Sequence, residues 1–295
     1  MGYLFALLSV FSGSIKGYCG KRVSNFTEKA DDAMLFNCMR MFFCIVISFF
    51  LLAVQGKVIE LNVNAVFLLI AALSGISTAI SLVSWLLSVR GSAYMLVEIF
   101  VMLGTVVTLF LSYIVYGESI SIGQFFGIIL LFIAVFIMCS YNRSVKHGKI
   151  GIKAWALLIL CTLTFGMSDF SQKIFTKTFQ NGSIAAFNFY TYIVSAVLLL
   201  VFYLISRSAK RPEIGKIKKA LGYMLLMSVF LFCNAFFKTK ASLYLPAIQL
   251  YPLTNSLALT FSTLMAAIFF KEKLTPKCIF GILLSLAAII IIGLA

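Results

Sequence analysis

The sequence predicts an all-α integral membrane protein of about ten transmembrane helices, arranged as two inverted five-helix repeats. Three observations predict it. Of the 295 residues, 62% are hydrophobic and 11% charged, against about 25% charged in soluble domains. The apolar residues fall in continuous runs of about 20, the length that crosses a 30 Å hydrocarbon layer. The second half of the chain also repeats landmarks of the first at a nearly fixed shift.

The runs cover residues 2–20, 33–54, 65–89, 92–116, 120–141, 154–175, 184–206, 220–237, 242–270 and 276–294. They read as helices rather than barrel strands, because stretches such as 125–138 and 283–292 do not alternate. In hydrocarbon a helix satisfies its own backbone. Residues 2–10 are apolar but lack a basic leader, so the first run reads as a helix and not a cleaved signal. A basic connection, 142–153, separates the halves, which are expected over 1–142 and 151–295.

The formal charge of +15 sits mostly in short connections, where it marks topology against anionic headgroups. That argues against nucleic acid as a partner. The seven cysteines form no CxxC pair, and His147 is the single histidine. No metal site, cofactor or disulfide framework is expected. Neither a Walker A sequence, a GxSxG elbow nor HExxH is present, so ATP-driven pumping and standard hydrolase chemistry lack support.

The repeat is clearest at the end of each half. Ile114-Val-Tyr-Gly-Glu118 with Phe126-Gly127-Ile128 matches Ile268-Phe-Phe-Lys-Glu272 with Phe280-Gly281-Ile282, a shift of 272 − 118 = 154. Gly13 and Gly166 give a weaker echo at the front. Five is odd, so consecutive halves enter the membrane from opposite sides, an arrangement that places a substrate site at the repeat interface.

On these residues, with Arg40 opening the second helix in Met39-Arg40-Met41, the chain resembles the drug/metabolite transporter superfamily, in the group built from tandem EamA-type repeats. The resemblance covers essentially the whole chain. It implies a secondary transporter in the cytoplasmic membrane. The family often has proline in the fourth helix of each half. Pro252 fits, but the first half has Glu98 at the equivalent position (98 + 154 = 252).

Charges inside spans are costly and therefore candidates for function. Lys16 and Asp169 occupy near-equivalent positions (16 + 153 = 169) and are expected to face a central cavity, pairing across it or binding opposite charges of a zwitterion. The bland reading has both snorkelling to a surface, with Lys173 a local partner for Asp169. Glu98, in an apolar helix, is the expected proton-coupling or cation-binding acid; its bland alternative is a structural hydrogen bond. Arg40 is read as a site residue or an interfacial anchor. Lys238 and Lys240 are placed after the eighth helix. Trp85, Tyr94, Asn188, Tyr192, Asn234 and Asn255 are expected contacts or walls, with Gln249 and Tyr251 beside Pro252.

The expected function is movement of a small metabolite or drug-like compound by alternating access, with proton coupling open through Glu98 or Asp169. The alternatives are a membrane-embedded enzyme or a flippase for a lipid-linked substrate. The expected partners are the substrate, the bilayer and protons, with the chain a monomer or homodimer. Of the Lys and Arg residues in connections, 17 lie in odd-numbered and five in even-numbered ones. The positive-inside rule then puts the termini outside, whereas the resemblance implies cytoplasmic termini.

Overall fold

The structure is a computed structural model describing residues 1–27, 29–92, 94–117, 121–146, 151–206, 214–271 and 275–294. Within them are ten α-helices: α1 (Gly2–Ser24), α2 (Ala30–Val54), α3 (Ala65–Gly91), α4 (Tyr94–Tyr116), α5 (Ile122–Lys146), α6 (Ile152–Thr178), α7 (Ile184–Ser206), α8 (Ile214–Ala241), α9 (Ala247–Phe269) and α10 (Pro276–Leu294). Helices α2, α3, α4, α6, α7, α8 and α9 contain stretches long and apolar enough to cross a membrane. Helices α5 and α10 hold shorter apolar stretches.

Local chemistry sets the helix starts. Ser121 and Gln124 cap α5 reciprocally, each backbone N–H donating to the other's side chain at 3.0 and 3.1 Å. Asn64 caps α3 by accepting from the Phe67 N–H. Pro276 opens α10, where the missing N–H costs nothing. Two boundaries differ from the sequence expectation. Helix α5 runs on through Lys146, into the expected basic connection, and α8 runs to Ala241 rather than Phe237. Lys238 and Lys240 are therefore helical. Apolar content under-reads such a polar last turn, whose backbone remains bonded.

The helices carry large apolar side chains outward, and a mostly apolar interior also takes in many hydroxyls. Phe50, Leu69, Phe110 and Phe136 are exposed, while Ser48, Ser74, Thr108 and Ser195 are buried. The apolar outer face suits a lipid surround. Every helix has its most extensive neighbour in the other half: α1 on α8, α2 on α7, α3 and α4 on α6, α5 on α10, α9 on α1. Exchanging α1 with α6, α2 with α7, α3 with α8, α4 with α9 and α5 with α10 maps the main pairings onto one another.

Small residues and hydroxyls make these crossings close. A Cβ on Gly104 would stand 3.0 Å from the Gly166 nitrogen, so α4 and α6 meet backbone to backbone. Thr108 Oγ1 donates to the Gly166 carbonyl and Thr162 Oγ1 to that of Phe100. The repeat motif has a packing role. Gly127 lets α5 approach Ala288 and Ile292 of α10, while Phe126 and Phe280 face outward, each 59% exposed. Glu118, Glu272 and His147 lie outside the described residues.

Candidate functional site: a charged central cavity

A cavity of about 130 Å³ lies at the centre of the bundle, walled by α1, α3, α4, α6, α7, α8 and α9. Eight of the sequence-expected residues line it: Lys16, Trp85, Glu98 and Asp169, with Asn188, Tyr192, Asn234 and Asn255. Each half contributes because the halves are interleaved. The polar residues lie one helical turn apart on single faces. Asn188, Thr191 and Tyr192 of α7 are one such face, and Asn234 and Lys238 of α8 another.

Glu98 is held by neutral donors. The Trp85 indole N–H donates to Oε1 at 3.0 Å, and the Ser262 hydroxyl to Oε2 at 3.1 Å. The Tyr94 hydroxyl is a further neighbour. The expected structural hydrogen bond therefore exists, and it comes from α3 and α9. Lys16 is the cation felt by the carboxylate. Lys16 does not snorkel. It lines the cavity, with its ammonium 5.9 Å from the Phe165 ring centre, and makes no hydrogen bond or ion pair among the described residues.

Asp169 pairs neither with Lys16 nor with Lys173. Both its carboxylate oxygens accept from Lys238 Nζ at 2.7 Å, joining α6 to α8. The pair is largely buried, with side chains 12% and 13% exposed. Tyr251 stands behind it. Its hydroxyl donates to the Asp169 carbonyl at 2.7 Å, and the Lys238 ammonium lies 5.3 Å from its ring. Sequence reasoning misplaced Lys238 because it ended α8 one turn early. The signal that could have found it is Asn234 four residues before.

Beyond Tyr251 lies a wider cavity of about 570 Å³ bordered by the α6 C-terminus and the α8–α9 turn. Lys173 and Lys177 line it. At the opposite end the central cavity is closed by rings. Trp85 meets Tyr94 edge-on, Tyr94 meets Phe270, and Phe270 stacks on Tyr18. Arg22 lies over both Tyr18 and Phe270. Glycine makes this seal possible: a Cβ on Gly20 would stand 2.5 Å from the Trp85 ring. Tyr94 is thus part of the seal, not of the cavity lining.

Arg40 corrects the expectation of an interfacial anchor. It is 2% exposed, inside the bundle and behind the cavity wall. Nη1 donates to Asn37 Oδ1 at 3.0 Å and faces Met227 Sδ at 3.4 Å. Nε and Nη2 have no hydrogen-bond partner among the described residues. Gln249 is exposed and away from the cavity. Asn234 lines the cavity but also clamps α8 to α1, donating to the Ser9 carbonyl at 2.8 Å and hydroxyl at 3.0 Å. Asn255 donates to Thr105 of α4. Four lining residues keep buried polar atoms without a partner among the described residues: Gln172 Oε1, Asn188 Nδ2, Thr191 Oγ1 and the Tyr192 hydroxyl. Gln172 and Thr191 escaped sequence analysis, since only the fold shows which face is inward.

A crystal structure of a protein matches the fold with a TM-score of 0.71 over 99% of this chain and 96% of its own, at 10% identity. A protein of Archaeoglobus fulgidus described as an uncharacterized transporter is 28% identical over 194 residues, 62% of this chain. The chain spans 60% of that relative's length in the match. The EamA-like transporter family matches residues 1–140 and again 152–294. This multi-pass membrane protein belongs to the EamA-like transporter family.

Proposed function

We propose that the protein is a secondary transporter that carries a small polar solute across the cytoplasmic membrane by alternating access. The observation that carries this reading is the unequal closure of the central cavity. One end has a stack of rings with Arg22 across it. The other has Tyr251 and the Asp169–Lys238 pair, with a wide vestibule beyond. A site closed by a deep ring stack toward one face and by a thinner layer toward the other suits one state of an alternating cycle. Family membership favours transport over an enzyme. Glu98 is the coupling acid, and its hydrogen bonds fix where a proton or solute meets it.

The vestibule opens on the side of the α6–α7 and α8–α9 connections, which is also the side of the termini. The charge count puts that side outside. A C-terminal reporter that fluoresces in the cytoplasm reverses this assignment.

The test is access from each face. A cysteine at Ser81, in a background without the native cysteines, is treated in sealed vesicles with an impermeant thiol reagent. The expected result is labelling from the vestibule side, and labelling from the ring side once a solute gradient drives turnover. Labelling from one side under every condition sinks alternating access.

A further inference from the structure

We propose that the central cavity takes its solute by an oxyanion group, a carboxylate or a phosphate, held by Lys16 and by the α7 donors Asn188, Thr191 and Tyr192. This deepens the transport reading and rests on it for the cavity being the solute site.

The first argument is which charges are already engaged. The cavity and its wall hold Lys16, Arg40 and Lys238 against Glu98 and Asp169, so 3 − 2 = +1. Asp169 is occupied at both oxygens by Lys238. Glu98 accepts from Trp85 and Ser262, one at each oxygen. A cationic solute would have to share these oxygens with donors already in place. The unused capacity is on the cations. The Lys16 ammonium carries three donors and makes no hydrogen bond among the described residues. Arg40 keeps Nε and Nη2 unpartnered behind Tyr192, near enough for the two to interact electrostatically. A buried cation with no direct hydrogen-bond partner in a low-dielectric bundle favours an anion beside it.

The second argument is the wall of α7. Asn188, Thr191 and Tyr192 are 2%, 4% and 2% exposed. Each has a polar atom without a partner among the described residues, and each lines the cavity. Asn188 Nδ2 can only donate, and the two hydroxyls can donate. Among the described lining atoms left unpartnered, Gln172 Oε1 is the one that can accept but not donate, and it suits a hydroxyl elsewhere on the solute. The approach is cationic too. Among the described residues lining the vestibule, Lys177 is an exposed cation and none is an acid. Such a funnel concentrates anions.

The experiment uses the purified full chain. Thermal unfolding is followed with pyruvate, succinate, inorganic phosphate or glycerol phosphate. Ethylammonium and acetamide serve as controls at constant ionic strength. At least one oxyanion is expected to raise the midpoint saturably, and ethylammonium is not. The carboxylate and phosphate arms show which group fits. Lys16→Gln is expected to weaken that ligand about tenfold or more, the usual loss of a charge-assisted hydrogen bond. Asn188→Ala, which keeps every charge, weakens it several-fold.

Failure of all oxyanions to stabilise, stabilisation by ethylammonium alone, or an undiminished oxyanion effect in both variants overturns the proposal. The same protein in vesicles separates it from the transport reading. Flux of an ammonium solute leaves transport standing and removes the oxyanion site. Oxyanion binding without flux leaves the site and removes transport.

Discussion

Lys238 on α8 and Asp169 on α6 are joined by two 2.7 Å hydrogen bonds from one ammonium to both carboxylate oxygens. Removing one member leaves the other charge without compensation inside the bundle. Asp169→Asn should lower unfolding stability by about 3 kcal/mol, the lower end for a broken buried pair because the Lys238 side chain stays 13% exposed. Adding Lys238→Met should restore most of that loss. Thermal unfolding of the three variants checks it. A double variant no more stable than the single one contradicts a pairwise role.

Glu98 makes a different prediction. Glu98→Gln keeps an acceptor for the Trp85 N–H at 3.0 Å but removes the negative charge that faces Lys16. The fold should survive, and the pH dependence of transport should flatten. Uptake measured from pH 5 to pH 8 in vesicles decides. An unchanged profile ends the coupling role of Glu98.

The ring seal depends on Gly20. Gly20→Ala places a methyl group 2.5 Å from the Trp85 ring, an overpacking that costs about 1–3 kcal/mol. The ring must move, so the seal should loosen. With Trp155→Phe the only indole emission comes from Trp85. Gly20→Ala should then shift that emission to the red and increase its quenching by iodide. No change in quenching would show that the ring absorbs the methyl group in place.

A fourth prediction concerns the connection between α2 and α3. Ser183 and Lys57, whose ammonium donates to Oε1 at 3.0 Å, hold the Glu60 carboxyl below the usual carboxylate value. A depressed value means stability that is present above the ordinary value of 4.5 and lost as pH falls through the lowered one. Hydrogen exchange in Leu61–Asn64 should therefore quicken only below about pH 4.5. In Glu60→Gln that step should disappear.

Much of the fold was legible because membrane insertion is a question of length and hydropathy, both local properties. Ten apolar runs became ten helices. Most of the cavity was legible as well, because a charge inside a span needs a reason wherever it sits. Lys16, Glu98 and Asp169 all line it. What failed was partnership. The i+4 lysine, Lys173, was the local partner for Asp169, yet Lys238, sixty-nine positions away, holds the carboxylate. Arg40 looked interfacial because it begins a run only eight residues after Asp32, yet α2 packs against α7 and α8 and buries it.

By itself the sequence determined the membrane environment, the helices, the repeat and the short set of costly charges, since each follows from composition and spacing along one strand of chain. The tertiary structure decided which helix faces point inward and which charges meet. It therefore decided that both acids are engaged while Lys16 and Arg40 retain unused donors. The physical reason is the interleaving of the halves. Each helix packs chiefly on one from the other half, so the partners of a buried group lie far away in sequence. No local pattern encodes them.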